Sequence, residues 1–149
     1  MTTQFKTLID APREKVWDIL WADDTYSKWT AVFCEGSKVI TDWQEGSKVL
    51  FTDGQDRGMV SMIDKKVPNE YMSFKILGEY VNGVEDYTSE NAKQISGGFE
   101  TYTLTSEGDK TLLLVELSSM QMSEEMTGYF EETWPKAIEA IKAIAEEIG

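Results

Sequence analysis

Histidine is missing altogether from this sequence. Its absence excludes the serine–histidine and cysteine–histidine nucleophile pairs, a histidine general base and histidine metal ligands. Any catalysis would have to run on carboxylates, lysine or tyrosine. Cysteine occurs once, as Cys34, so no internal disulfide can form, and without a histidine to activate it a buried or idle thiol is the expected state. Positive charge is scarce: 14 basic side chains stand against 27 acidic ones, and the net charge of −13 opposes approach to phosphate backbones and anionic headgroups. Neither nucleic acid nor a membrane surface is an expected partner. No run approaches the ~20 apolar residues that span a bilayer, and the start "MTTQFKTLID" has no secretory pattern, so the expected location is cytoplasmic. The acidic "DD" at 23–24 and the scattered "EE" pairs read as solvated faces, so no metal and no cofactor is expected.

What is present is enough for a core. A chain of 149 residues can bury roughly 70% of its unfolded surface. Its 41% hydrophobic and 28% charged residues are the balance of a globular protein and not of a disordered one. No Gly/Pro-rich linker, repeat or low-complexity tract divides it, so residues 1–149 read as one domain.

"QFKTLI" has the composition of a first strand, and "DAPREKVWDIL" reads as a helix start with Pro12 in the first turn, where its missing N–H matters least. A second short helix is expected around "DTYSKW", capped by Asp24 or Thr25. From residue 37 the apolar period changes to two. "SKVITDW" and "KVLFTD" form a hairpin across "EGS"; "GQDRG" turns into "MVSMIDKKV", and "PNE" leads to "YMSFKILGEYV". The polar "NGVEDYTSENAKQ" reads as a long loop, before the strands "GFETYTLTSE" and "KTLLLVELSS".

The last element is a long helix, with Ser123 as cap and Glu124 and Glu125 at the positive end of its dipole. At 100° per residue its apolar positions fall in an arc of about 140°, from Met126, Phe130 and Trp134 through Ile138 and Ile141 to Ile148. Pro135 lies on the opposite, polar face, where it bends the helix without destroying the buried one. Large residues precede the proline; Ala and Ile follow it. The two halves are expected to meet different surroundings.

The stretches "APREKVWDIL", "YSKW", "WQEGSKVLF", "GMVSMIDKKVPNEYMSFKI", "TYTLTSEGDKTLLLVEL" and "WPKAIEAIKAI", in this order, cover nearly the whole chain. The pattern resembles the SRPBCC superfamily, which includes START lipid-transfer domains and the birch pollen allergen. Within it the chain is most similar to bacterial proteins related to the activator of the heat-shock chaperone ATPase. The resemblance implies an α+β helix-grip fold: a curved antiparallel sheet of about six or seven strands wrapped around a long C-terminal helix, with two short helices after the first strand. It also implies a hydrophobic cavity between sheet and helix. The mouth of that cavity lies beside the first half of the helix, surrounded by loops near 30–36, 53–57, 81–96 and 119–123, with "NGVEDYTSENAK" as a possible gate.

Met126, Phe130 and Trp134 would then line the mouth half, with Ile138 one turn further on; the same stripe also reads as plain core packing. Period two adds Met72, Phe74 and Ile76 on one strand, Tyr102 and Leu104 on a second, and Leu113 and Val115 on the last, with Leu117 beyond them. Glu100 shares the parity of Tyr102, so it faces inward unless a bulge at Gly97 and Gly98 shifts the register; a charged residue at a strand end otherwise reads as solvated. Trp43 belongs either under the hairpin or at the wall. Three functions fit: a carrier for an apolar lipid or aromatic metabolite; a protein-interaction module of the chaperone-activator type, with a chaperone as partner; and a cyclase- or hydrolase-like enzyme with Glu100 and Tyr102 as its acid/base pair. The first agrees best with the missing catalytic set.

Overall fold

A computed structural model describes residues 2–33, 36–53, 57–118 and 124–147, apart from the side chains of Thr2 and Met126. Cys34, the Ser123 cap, Ile148, the tip of the "GQDRG" turn and the expected rim loop at 119–123 lie outside the described residues. The chain runs β1 (Thr2–Ile9), α1 (Arg13–Trp21), α2 (Asp23–Thr30), β2 (Lys38–Ile40), β3 (Lys48–Thr52), β4 (Arg57–Val67) and β5 (Tyr71–Val81). It continues with β6 (Val84–Asp86), α3 (Glu90–Ile95), β7 (Phe99–Glu107), β8 (Lys110–Ser118) and α4 (Glu124–Glu146).

One antiparallel sheet takes the order β1-β8-β7-β5-β4-β3-β2, with β6 paired to β5 beside this path. This is the helix-grip arrangement, with the long last helix packed against β1, α1 and α2. Alternation sets the concave face. Phe74 pairs with Glu100, Met72 with Tyr102, Tyr102 with Val115 and Leu104 with Leu113, so these side chains share one side of the sheet. The pairing of β7 is unshifted from Phe99 to Glu107; Gly97 and Gly98 end before it, and Glu100 keeps the parity of Tyr102.

The helices differ from expectation in their starts. Pro12 is the residue before α1, in extended conformation, with its carbonyl accepting from Lys15 and Val16; a proline ring suits that position as well as the first turn. Helix α2 begins at Asp23 with Ala22 as its cap, two or three residues earlier than a cap at Asp24 or Thr25 implies, because Ala22 ends α1 and opens α2 with no spacer. Trp29 binds the two together, its indole N–H donating to the Leu20 carbonyl at 3.3 Å. Helix α4 continues without interruption through Pro135, which lies on the exposed side, while Thr133, Trp134, Ala137, Ile138 and Ile141 are buried.

The segment expected as one long loop contains two elements. Asn82 and Gly83 both adopt positive φ, 53° and 77°, and close a two-residue hairpin in which Val81 pairs with Val84. Asp86 Oδ1 then accepts from the backbone of Thr88 and Ser89, and Ser89 caps α3 by accepting from Ala92 N at 3.1 Å. The expected gate is therefore a strand and a capped helical turn. Trp43 packs against the closed core, 5.4 Å from the ring of Trp21 in α1.

Candidate functional site

The concave face is filled at one end and hollow at the other. The hollow has a volume of about 500 Å³ and is walled by the end of β3, the start of β4, the end of β5, the start of β7, the end of β8, α2 and the first half of α4. Eight of its lining residues are aromatic, contributed chiefly by α2 (Tyr26, Trp29) and α4 (Tyr129, Phe130, Trp134). Phe33, Phe51 and Tyr102 complete the set. Two of the described lining residues, Arg57 and Tyr129, are exposed and mark its open side, and the Tyr129 hydroxyl donates to the Phe33 carbonyl at 2.9 Å, tying α4 to the segment after α2.

Of the expected wall residues, Ile76, Glu100, Tyr102, Phe130 and Trp134 come together around this space. Met72, Phe74, Leu104, Leu113, Val115 and Ile138 do not reach it; each is 6% exposed or less and belongs to the closed core. The reason is position along the strand. All face inward, but only the last inward residue of β5 before its bulge, the first two of β7 and the last of β8 extend as far as the hollow end. Leu117, at the end of β8, lines it as well. The Met126 side chain lies outside the described residues.

Several wall residues carry no strong sequence signal. Tyr26, Trp29, Thr30 and Phe33 follow the i, i+3, i+4, i+7 spacing of one helical face, which marks α2 as a wall in retrospect. Glu79 is reached only through an irregularity. Val60 pairs with Gly78 and Ser61 with Ile76, leaving Leu77 unpaired, so the parity of β5 inverts and Glu79 turns to the side that Ile76 occupies. Gly58 fits because Phe51 passes so close that an added Cβ would lie 1.6 Å from its carbonyl oxygen.

Three acidic groups meet inside. Burial pushes the Glu100 carboxyl up to about 7, and an interaction with the Tyr102 hydroxyl partly opposes this by favouring the anion. Burial, then the nearby Glu100 and Tyr26, raise Tyr102 well above the usual tyrosine value; burial and Glu100 raise Tyr26. No ion pair reaches Glu100 among the described residues. Glu100 is half-buried and lines the hollow. Trp134 is held among Phe5, Trp29, Phe33 and Tyr102, with ring centroids 5.0 to 6.1 Å away. Its indole N–H is buried without an acceptor among the described residues, and a buried donor left unsatisfied costs about 1–3 kcal/mol. Among the described residues, no group of acidic or cysteine side chains is arranged to hold a metal ion, and no helix is long and apolar enough to cross a membrane.

An open antiparallel sheet gripping a terminal helix around a cavity defines the SRPBCC class of domain. The chain belongs to the family of Activator of Hsp90 ATPase homolog 1-like proteins, whose model matches residues 10–146. Among solved structures it is similar to the Aha1 dimer from Colwellia psychrerythraea, at 16% identity and a TM-score of 0.75 over 98% of this chain and 96% of that one. It is also similar to protein CV1439 from Chromobacterium violaceum, at 18% identity and 0.69 over 99% and 98% of the two chains. CalU16 from Micromonospora echinospora gives 18% identity and 0.67 over 97% and 74%. At these identities the likeness is one of fold. No curated protein matches the chain.

Proposed function

We propose that this protein binds a small, mainly apolar molecule in the hollow end of its grip, with Glu100, Tyr102 and Tyr26 orienting a polar group of that ligand. The observation that carries this reading is a cavity of about 500 Å³ walled by eight aromatic residues, holding a carboxylate with no cationic partner among the described residues. That size lies within the ~300–1,000 Å³ of ordinary small-molecule sites, and an apolar wall with a few convergent polar groups is their usual chemistry. Affinity would come from removal of apolar surface, at ~25 cal/mol per Å² before ordering is subtracted.

Mass spectrometry of small molecules retained by protein from its native host, joined to thermal unfolding against lipids and aromatic metabolites, tests the reading. A retained compound that raises the melting temperature supports it. An empty protein whose melting temperature no compound moves would remove it.

Family membership and the net charge of −13 favour a second reading, a protein-interaction module acting on a chaperone through an acidic surface. Such association weakens steeply with salt. Pull-downs at low and high ionic strength distinguish the two, because occupancy of an apolar cavity is nearly indifferent to salt.

A further inference from the structure

The hollow is electrostatically one-sided. Tyr26 of α2 and Tyr102 of β7 flank Glu100, and two more carboxylates stand on the wall, Glu79 of β5 and Asp53 after β3. Against them is one cation on the wall among the described residues, Arg57 at the start of β4, and it is exposed at the mouth. An anionic headgroup would have to sit beside a buried carboxylate in a medium that screens poorly. A neutral ligand would leave that carboxylate uncompensated. A cation would neutralise it, and the negative faces of surrounding aromatic rings attract the same charge.

We propose that the ligand carries an ammonium group, held between the Glu100 carboxylate and the aromatic side chains around it, with its apolar body in the remainder of the cavity. The assignment rests on the reading of the hollow as a ligand site and narrows it to a class. Tyr102 acts as a positioning residue, its hydroxyl donating to the carboxylate and fixing the side on which the ammonium approaches. Because Glu100 ionises near 7 in the empty protein, an ammonium ligand binds with release of a proton at lower pH. Tyr26 and Tyr102, both raised by burial and by Glu100, stay protonated throughout; Glu79, Asp53 and Arg57 are the other charged side chains on this wall.

The test uses three ligands of one shape and different charge, tryptamine, tryptophol and indole acetate, measured by calorimetry and by displacement of the neutral dye Nile red. At pH 8 tryptamine should bind at least about tenfold tighter than tryptophol, with indole acetate weakest. Its advantage should shrink by about tenfold toward pH 6, while tryptophol stays level. Glu100→Gln should abolish the preference and leave tryptophol binding in place; Glu100→Asp, which keeps the charge but withdraws it, should restore part of it. Equal binding of tryptamine and tryptophol, tightest binding of indole acetate, or a preference intact in Glu100→Gln would each overturn the ammonium assignment while sparing the cavity reading. So would uptake of Nile red that none of the three displaces. Failure of the dye and all three ligands to bind would overturn both.

Discussion

The two ends of the concave face are built from the same sheet and the same helix, yet one is solid and the other hollow. At the solid end α4 presents Ala137, Ile138, Ile141 and Ala145, which belong to one closed core with Leu104, Leu113 and Val115 and leave almost no accessible surface. At the hollow end it presents Phe130 and Trp134, facing Trp29, Phe33 and Tyr102. At the solid end the aliphatic chains of α4 pack into a closed core, whereas at the hollow end the rings of Trp29, Phe33, Tyr102, Phe130 and Trp134 stand around space they do not fill. The border falls at Pro135.

Breaking the solid end should have the largest effect. Leu113→Ala removes a fully buried side chain from a closed region and should lower stability by about 2–5 kcal/mol in urea or thermal unfolding. Phe130→Ala removes a larger side chain from the half-buried wall and should lower it by less than about 1.5 kcal/mol, since the space beside it is already there. Equal losses at the two sites would mean that the ends are packed alike.

Glu100 sharpens the comparison through pH. Its folded-state value of about 7 lies above the usual 4.5, so between these values the folded protein holds a proton that the unfolded chain has lost. The resulting contribution favours folding at low pH and fades as pH rises through that window. Replacing Glu100 by Gln removes the slope and should raise stability at pH 8, by up to about 3 kcal/mol at ~1.36 kcal/mol per pH unit. No Leu or Ile of the solid end can produce such a dependence. Coincident pH–stability curves for the two proteins between about pH 4.5 and 7 would show that the carboxylate is solvated.

How the sequence discloses these ends follows from what periodicity measures. A period of two reports which face a residue occupies, and it placed Met72, Phe74, Ile76, Tyr102 and Leu113 on the inner one. It carries no information on distance along the strand, so core and wall were not separated. The bulge at Leu77, which turns Glu79 inward, breaks the period itself and leaves no mark in one sequence. The long segment after β5 misled for another reason: its polarity spoke for a loop, although Asn82–Gly83 is the signature of a tight hairpin and Ser89 of a helix cap. Six helical residues with one buried alanine are too few to register as amphipathic.

The smallest effect expected lies at the mouth. Tyr129 is 41% exposed, its ring lies 5.7 Å from Phe130 and 6.3 Å from Phe33, and its hydroxyl donates across to the Phe33 carbonyl. That bond is the latch between α4 and the turn after α2, and half-exposed neutral bonds of this kind contribute about 0.5–1.5 kcal/mol. Tyr129→Phe keeps both ring contacts and removes only the latch, so global stability should fall by no more than that. Nile red should instead enter and leave faster, because the same free energy acts directly on opening of the mouth. Unchanged dye kinetics beside a measurable loss of stability would place the route of entry elsewhere on the wall, on the side of Arg57 and of Ile95 at the end of α3.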